Sequence, residues 1–138
     1  MRKSCDQRIV RILDANVNRA REGLRVCEDI CRFYLDKKSL TRGYKDVRHG
    51  LTAVFLKTPV AGLLKARRVA DDVGRPSTAS EFARKDISGV FYANSQRVKE
   101  SLRVLEELMK LNHRKAAETL KQLRYRIYVL EKKAGEAF

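Results

Sequence analysis

The chain has 138 residues, of which 43% are apolar, and 31 lysines and arginines against 17 acidic residues give a net charge of +14. This length predicts a single domain, residues 1–138, and the apolar fraction argues against a disordered chain. The charge favours an anionic partner, such as a phosphorylated metabolite, nucleic acid or an acidic membrane surface, although a solvated basic surface is the alternative.

The first predicted element is a long helix. A capping box at Ser4 and Gln7 places its start, and apolar residues spaced by three or four carry it to about Leu35. A second helix follows with Ser39 as the expected N-cap. Because the turn between them is so short, we expect the two helices to form an antiparallel hairpin over about 5–57.

A connector is predicted over about 58–85. Thr58-Pro59 is typical of a helix start, so a short third helix is expected over about 59–68, followed by a loop. A second pair of long helices then covers about 86–133. The whole pattern indicates an all-α fold, because leucine, alanine, lysine, arginine and glutamate dominate stretches that contain few helix breakers.

Several functional classes lack their motifs in this sequence. Cys5, Cys27 and Cys31 do not make a disulfide framework, and with only His49 and His113 a zinc site is not expected. No phosphate-binding glycine loop and no dinucleotide motif are present, so neither flavin nor nicotinamide is expected. The chain also has no apolar signal region or membrane-spanning run, and we expect a cytoplasmic protein without membrane association.

An internal repeat organises the chain. The pattern Ala-Asn-x-x-Arg-x-x-Glu-x-Leu-Arg-Val-x-Glu occupies residues 15–28 and returns without gaps at residues 93–106, at an offset of 78. The partner helices match as well, 45–48 with 121–124, at an offset of 76. A duplicated hairpin predicts a four-helix bundle with a pseudo-two-fold axis, to which the short helix and the connecting loop are added.

Polar residues of the repeat lie in or beside the apolar stripe on a helical wheel: Asn16, Arg19, Glu22 and Arg48 in the first copy, and Asn94, Arg97, Glu100 and Arg124 in the second. One interpretation is a structural network, with ion pairs Arg19–Glu22 and Arg97–Glu100 and with each asparagine fixing helix register. The other is an anion pocket, in which Arg19 and Arg48, or Arg97 and Arg124, clamp a phosphate.

The connector carries a second candidate site. Asp71-Asp72-Val73-Gly74 places two carboxylates beside a flexible glycine, and Mg²⁺ is often held by one or two carboxylates together with substrate phosphates. Arg67 precedes this run and would add charge for the same phosphate. Acidic pairs are also common in solvated loops, so a site-free loop is the alternative interpretation.

These residues carry a resemblance to a known family. The runs 12–29, 45–49, 63–67, 72–74, 93–107 and 123–125 resemble, in order, the helical domain found ahead of some bacterial thiamine-phosphate synthases. The likeness extends over about 8–131. One departure is Arg68, where the family has an acidic residue, and this leaves Asp72 as the better candidate metal ligand.

The resemblance implies a role in thiamine biosynthesis, because such domains have been proposed to phosphorylate hydroxymethylpyrimidine phosphate with ATP and Mg²⁺. The synthase barrel itself is too large for this chain. In the kinase hypothesis, the expected roles are as follows: catalysis by Arg19, Glu22, Arg97 and Glu100; phosphate binding by Asn16, Arg48, Arg67, Gly74, Asn94 and Arg124; and Mg²⁺ binding by Asp72.

Two other hypotheses remain open at this stage. The chain would alternatively be a non-catalytic module that binds a phosphorylated ligand or docks on thiamine-phosphate synthase. Nucleic-acid binding is disfavoured, because the sequence has no helix-turn-helix and no aromatic stacking platform. Self-association into a homo-oligomer is left open by the sequence.

Overall fold

The computed structural model describes residues 6–58 and 60–138, and the regular elements of these ranges are all helical, which confirms the predicted all-α class. The five α-helices are α1 (Gln7–Asp29), α2 (Lys38–Lys57), α3 (Leu63–Ala66), α4 (Ile87–Met109) and α5 (Arg114–Gly135). Within the described residues, no helix is both long enough and apolar enough to span a membrane.

The four long helices close a ring around one core. Helix α1 packs against α2 and α4, and α5 packs against the same two helices, so the two hairpins α1–α2 and α4–α5 face each other. The apolar stripes predicted from the sequence supply the largest fully buried side chains, which are Tyr44, Phe91, Leu24, Leu51, Leu102, Leu105, Met109, Leu120, Ile127 and Leu130. Burial of these stripes is the main favourable term for the fold.

The two repeats meet most closely where α1 crosses α4. A Cβ atom added at Gly23 would lie 2.6 Å from Cγ2 of Val98 and 3.1 Å from the carbonyl oxygen of Asn94. Only glycine therefore permits this approach of the two backbones. Ala20 and Val98, which occupy equivalent positions of the two repeats, are both fully buried.

Helix α1 begins at a different cap from the one predicted. Asp6 is the N-cap residue, and its carboxylate accepts a hydrogen bond of 2.9 Å from the backbone N–H of Arg8. Hydrogen bonds from the Arg8 side chain, and then from its backbone, lower the pKa of Asp6 to about 2. Ser4, the first residue of the predicted capping box, lies outside the described residues.

The end of this helix is wider than an α-helix. Residues Ile30–Tyr34 form a π-turn, in which the backbone N–H of Leu35 donates to the carbonyl of Ile30 at 2.9 Å. The spacing of three or four residues along the first helix predicts Tyr34 on the apolar stripe, and this is wrong, since its exposed fraction is 63%. The physical reason is that an i→i+5 turn holds one more residue than an α-turn and rotates the side chains that follow it.

The second helix also begins earlier than the sequence indicated. The prediction of Ser39 as its N-cap is wrong, because α2 starts at Lys38, with Lys37 in the cap position and no side-chain cap. Asp36 adopts a left-handed backbone (φ 55°), which reverses the chain two residues sooner. Ser39 consequently lies inside the first helical turn.

The connector contains less helix than predicted. In place of a helix over 59–68, the structure has the four-residue α3, preceded by Gly62 with φ 83°, and Pro59 lies outside the described residues. Only a short 3-10 turn, Ala79–Phe82, interrupts the loop that follows. Asp86 then caps α4 by accepting a hydrogen bond of 2.7 Å from the N–H of Gly89, which lowers the pKa of Asp86.

Candidate functional site

The candidate site is a cleft between the first half of α1 and the connector. Two adjoining cavities, of about 440 and 480 Å³, share wall residues from both segments. We call this space the connector cleft. Its polar walls include Arg11, Asp14, Asn16, Arg19 and Glu22 from α1, and Arg67, Arg68, Asp71 and Asp72 from the connector.

An ion pair between a buried carboxylate and an exposed arginine forms the floor of the connector cleft. Asp14 is 6% exposed, and Arg67 donates to both of its carboxylate oxygens, from Nε and from Nη2, at 2.8 Å each. These hydrogen bonds raise the pKa of Arg67. A paired two-bond contact of this kind fixes orientation as well as position, so the pair holds α3 against α1.

Sequence reasoning predicted Arg67 but missed Asp14. On the helical wheel this aspartate lies away from the apolar stripe, and nothing in α1 itself indicates that it is buried. Its burial comes from a partner 53 residues later in the chain. No local signal in the sequence would have revealed that partner.

Asn16 and Asn94 occupy the same place in the two repeats. Asn16 Nδ2 donates to the carbonyl of Ile12 at 2.9 Å, and Asn94 Nδ2 donates to the carbonyl of Val90 at 2.8 Å. Both bonds stay within one helix, so neither amide donor joins one helix of the bundle to another. Asn16 also lines the connector cleft.

Arg19 and Glu22 stand on the wall of the connector cleft and are exposed. Among the described residues they do not form the predicted ion pair with each other, and the equivalent Arg97 and Glu100 do not form theirs. Glu100 instead accepts a hydrogen bond of 3.0 Å from Gln96. The charge of Arg19 therefore faces the cleft without a carboxylate against it.

The acidic run of the connector closes one side of the cleft. Asp72 Oδ1 accepts a hydrogen bond of 2.9 Å from the backbone N–H of Gly74. The amide of Gly74, a predicted phosphate-binding residue, is therefore already hydrogen-bonded. Asp71 binds Arg68 at 3.1 Å, so the residue that departs from the family pattern lies on the cleft and pairs with the first aspartate. Glu22 and Asp72 line the same cavity.

These carboxylates suit one kind of metal site. Among the described residues, no three acidic, histidine or cysteine side chains lie close enough to form a metal cage. Mg²⁺ usually keeps several waters and takes one or two protein carboxylates together with substrate phosphates. Asp72 would be the protein ligand in that arrangement, and Mg²⁺ would neutralise phosphate charge there.

The predicted pairing of Arg19 with Arg48 is wrong. Arg48, on α2, binds Glu28 through Nε at 3.2 Å. It lines a different groove, which lies nearer the C-terminal end of α1 than the connector cleft does. The second repeat does the same: Arg124 donates to Glu106 Oε1 from Nε at 3.3 Å and from Nη2 at 3.2 Å, and so does not join Arg97. The reason is the buried glutamate at the end of the repeat motif, which pairs each arginine inside its own hairpin.

The two copies of the motif are not equivalent as sites. Position 92, which corresponds to Asp14 at the repeat offset, is Tyr92, and Arg11 corresponds to Gly89. Helix α3, which carries the connector to the cleft, packs against α1. Asn94, Arg97 and Glu100 consequently lack the buried carboxylate and the second arginine that surround their counterparts.

The fold and the site define an all-α bundle with a cleft lined by arginines and carboxylates, and comparison with known proteins identifies its family. The ThiD2 family model matches residues 11–133, and the chain belongs to this family. A thiamine-phosphate synthase of Synechocystis sp. is 44% identical over 132 residues, which are 95% of this chain and 37% of that protein.

Other relatives show the same partial match. A thiamine-phosphate synthase of Thermosynechococcus vestitus is 44% identical over 91% of this chain and 35% of its own length, and one of Rhodopirellula baltica is 40% identical over 87% and 32%. The chain thus spans about a third of the length of these relatives and belongs to a thiamine biosynthesis family. No solved structure matches it.

Proposed function

We propose that this protein phosphorylates hydroxymethylpyrimidine phosphate, with ATP as donor, and so supplies the diphosphate substrate of thiamine-phosphate synthase. The observation that carries the proposal is the connector cleft, where Asn16, Arg19, Glu22, Arg67 and Asp72 come together from segments far apart in sequence. The relatives, named as thiamine-phosphate synthases, support the choice of pathway.

The chemistry of this reaction matches the residues of the cleft. A phosphate oxygen of the pyrimidine monophosphate attacks the terminal phosphorus of ATP, the bond from that phosphorus to the bridging oxygen breaks, and ADP leaves. The attacking oxygen is already anionic near neutral pH, since the second phosphate pKa is about 6, and no general base is required. The main barrier is repulsion between two anions, and catalysis rests on positioning and charge neutralisation.

Each cleft residue has a role in this proposal. Arg19 neutralises phosphate charge, because it has no competing carboxylate, while Arg67 is held in place by Asp14 and presents the rest of its guanidinium to the cleft. Asn16 and Glu22 contact the acceptor, and Asp72 is the Mg²⁺ ligand. Arg97 and Glu100, on the second repeat, line neither cavity of the connector cleft. They therefore have no role in this proposal.

A non-catalytic module is the second candidate. The observation that favours it is the partial match, because the chain covers only 37% of a relative that is named for the synthase reaction. In that case the cleft binds the pyrimidine phosphate and the module hands it to the synthase. Binding without turnover distinguishes this candidate from a kinase.

The test uses purified full-length chain with hydroxymethylpyrimidine phosphate, ATP and Mg²⁺, followed by phosphorus NMR. We expect the diphosphate and ADP to appear in equal amounts. Arg19→Ala should reduce turnover by about a hundredfold or more, and Arg97→Ala, at the matched position of the second repeat, should leave it nearly unchanged. Calorimetry without ATP measures binding separately.

Two outcomes would contradict the kinase proposal, and a third would contradict only its location in the connector cleft. Saturable binding without turnover would leave the non-catalytic module, and equal losses for the Arg19 and Arg97 variants would remove the assignment to the connector cleft. If the protein shows neither binding nor turnover, both candidates are overturned.

A further inference from the structure

A second basic cavity lies at the other end of the first hairpin. It has a volume of about 800 Å³ and is lined by the last turns of α1, the loop after the π-turn and the first half of α2. We call it the hairpin groove. Seven of its ten lining residues are lysine or arginine, and two, Glu28 and Asp36, are acidic.

The positive charge of the hairpin groove is largely uncompensated. Glu28 already binds Arg25 at 3.0 Å and Arg48 at 3.2 Å. Within the described chain, the remaining groove cations form no ion pair with a carboxylate, and these are Arg32, Lys37, Lys38, Arg42 and Lys45. Like charges gathered in a concavity repel one another, so this arrangement favours the entry of an anion.

The second hairpin shows that this charge is not a general property of the surface. Glu118 occupies the position of Arg42 at the offset of 76, and it pairs with Arg114 at 3.3 Å. Glu107 pairs with Arg103 at 3.1 Å and with Lys110 at 2.7 Å. Ion pairs with Glu107 and Glu118 therefore neutralise Arg103, Lys110 and Arg114 in the second copy. In the first copy Asp29, the described counterpart of Glu107, forms no ion pair, and Arg42 stands in the place of Glu118.

The start of α2 adds to the same field. Lys37 in the N-cap position provides no side-chain hydrogen bond, and Lys38 and Thr41 of the first turn line the groove. An uncapped helix start carries free backbone N–H groups and the positive end of the helix dipole. The positive end of the α2 dipole therefore adds to the positive charge of the surrounding side chains.

We propose that the hairpin groove binds a small molecule that carries several phosphate groups. A single phosphate would leave most of the five unpaired cations without a partner, whereas a triphosphate carries about four negative charges near neutral pH. The volume is that of a small-molecule site, and none of the residues that line the groove is aromatic, whereas single-stranded nucleic acid is bound by aromatic stacking as well as by charge.

This site is separate from the connector cleft. Asp14 and Glu28 are 14 residues apart on α1, which corresponds to about 21 Å along the helix axis. A phosphoryl group bound in the hairpin groove is consequently out of reach of an acceptor in the cleft. The inference does not depend on the proposed kinase activity, and binding at the groove is measured without any turnover.

The test is calorimetry on the full chain, without Mg²⁺, using inorganic triphosphate, ATP and inorganic phosphate as probes. We expect triphosphate to bind at least about tenfold more tightly than phosphate, with affinity that falls as salt rises. ATP as a second probe distinguishes a nucleotide from an inorganic polyphosphate. On addition of inorganic triphosphate, amide NMR shifts should be largest in residues 25–48 and smaller in residues 11–22, where the proposed reaction would place the ATP donor.

A matched pair of variants separates the groove from overall charge. Arg42→Glu/Lys45→Glu should weaken triphosphate binding by about tenfold or more, whereas Lys121→Glu/Arg126→Glu makes the same change in net charge on exposed positions of α5 and should have little effect. Circular dichroism verifies that both remain folded. Equal losses, shifts centred on the cleft, absent triphosphate binding, or tighter binding of a DNA duplex through the same groove residues would each overturn the proposal.

Discussion

Arg67 donates two hydrogen bonds of 2.8 Å each to the carboxylate of Asp14, and this contact holds the connector against the first helix. The carboxylate is buried while the arginine is partly exposed, so one face of the guanidinium stays available to the cleft. The cleft is therefore held by an ion pair between residues 53 positions apart, together with a hydrogen bond of 3.0 Å from Arg11 to the carbonyl oxygen of Arg68.

We expect Asp14→Ala to release the connector without unfolding the bundle. The substitution removes both acceptors of Arg67, while the four-helix core contains neither residue. Amide hydrogen exchange should accelerate in residues 63–72 and stay slow in α4 and α5, and affinity for the pyrimidine phosphate should fall by about tenfold or more. Asp71→Asn, which breaks only an exposed pair with Arg68, is the control and should change neither. Unchanged exchange in the Asp14 variant would show that other contacts hold the connector.

The buried glutamates of the two hairpins should differ in their contribution to stability. Removing Glu106 leaves Arg124 charged and 10% exposed, so Glu106→Ala should lower the free energy of unfolding by about 3 kcal/mol. In the first hairpin, the partners Arg48 and Arg25 are 24% and 57% exposed and can be rehydrated, so Glu28→Ala should cost about 1 kcal/mol. Urea denaturation of both variants measures the difference. A larger loss for Glu28→Ala would contradict this account of burial.

The close crossing of the two repeats is testable at Gly23. Gly23→Ala places a methyl group 2.6 Å from the stiff side chain of Val98 and 3.1 Å from a backbone carbonyl, which outweighs the better helix propensity of alanine. We expect a loss of about 1–2 kcal/mol in thermal or urea unfolding. Gly74→Ala, where the new methyl group would lie 3.5 Å from Oδ1 of Asp72, should be nearly neutral. Partial recovery in Gly23→Ala/Val98→Ala would identify the clash as the cause, and no loss in the single variant would contradict it.

Periodicity and the repeat were sufficient to predict the all-α fold, because regularly spaced apolar residues must be buried whatever their partners are. Side-chain partners were less predictable. The helical wheel places Arg48 and Arg124 in or beside the apolar stripe. A wheel describes a single helix, however, and cannot show that Glu28 and Glu106 turn toward the partner helix. The burial of Asp14 depends on a connector whose path has no periodic pattern, and the π-turn that ends at Tyr34 leaves no signature in residue spacing.

Because of its buried cysteines, the bundle should lose stability as the pH rises into the alkaline range. Burial raises the pKa of Cys31 to about 11 and that of Cys27 further, from an ordinary value of 9.0. In Cys5→Ser protein at pH 8, both thiols should react with iodoacetamide about a hundredfold more slowly in the native state than in urea, because they are neutral and fully buried. Comparable rates in the two states would contradict their burial.

The same shift predicts the direction of the pH effect. A thiol that stays protonated in the folded state but ionises in the unfolded chain stabilises the fold fully below about pH 9, and this contribution disappears as the pH rises toward the folded value of about 11. Urea unfolding between pH 8 and 11 should therefore show a decline in stability, and Cys31→Ala should reduce the slope of that decline although it lowers stability at pH 8. The Cys5→Ser protein is the reference for the slope. An identical slope in the Cys31 variant would mean that other groups cause the alkaline loss, since alanine carries no proton to release.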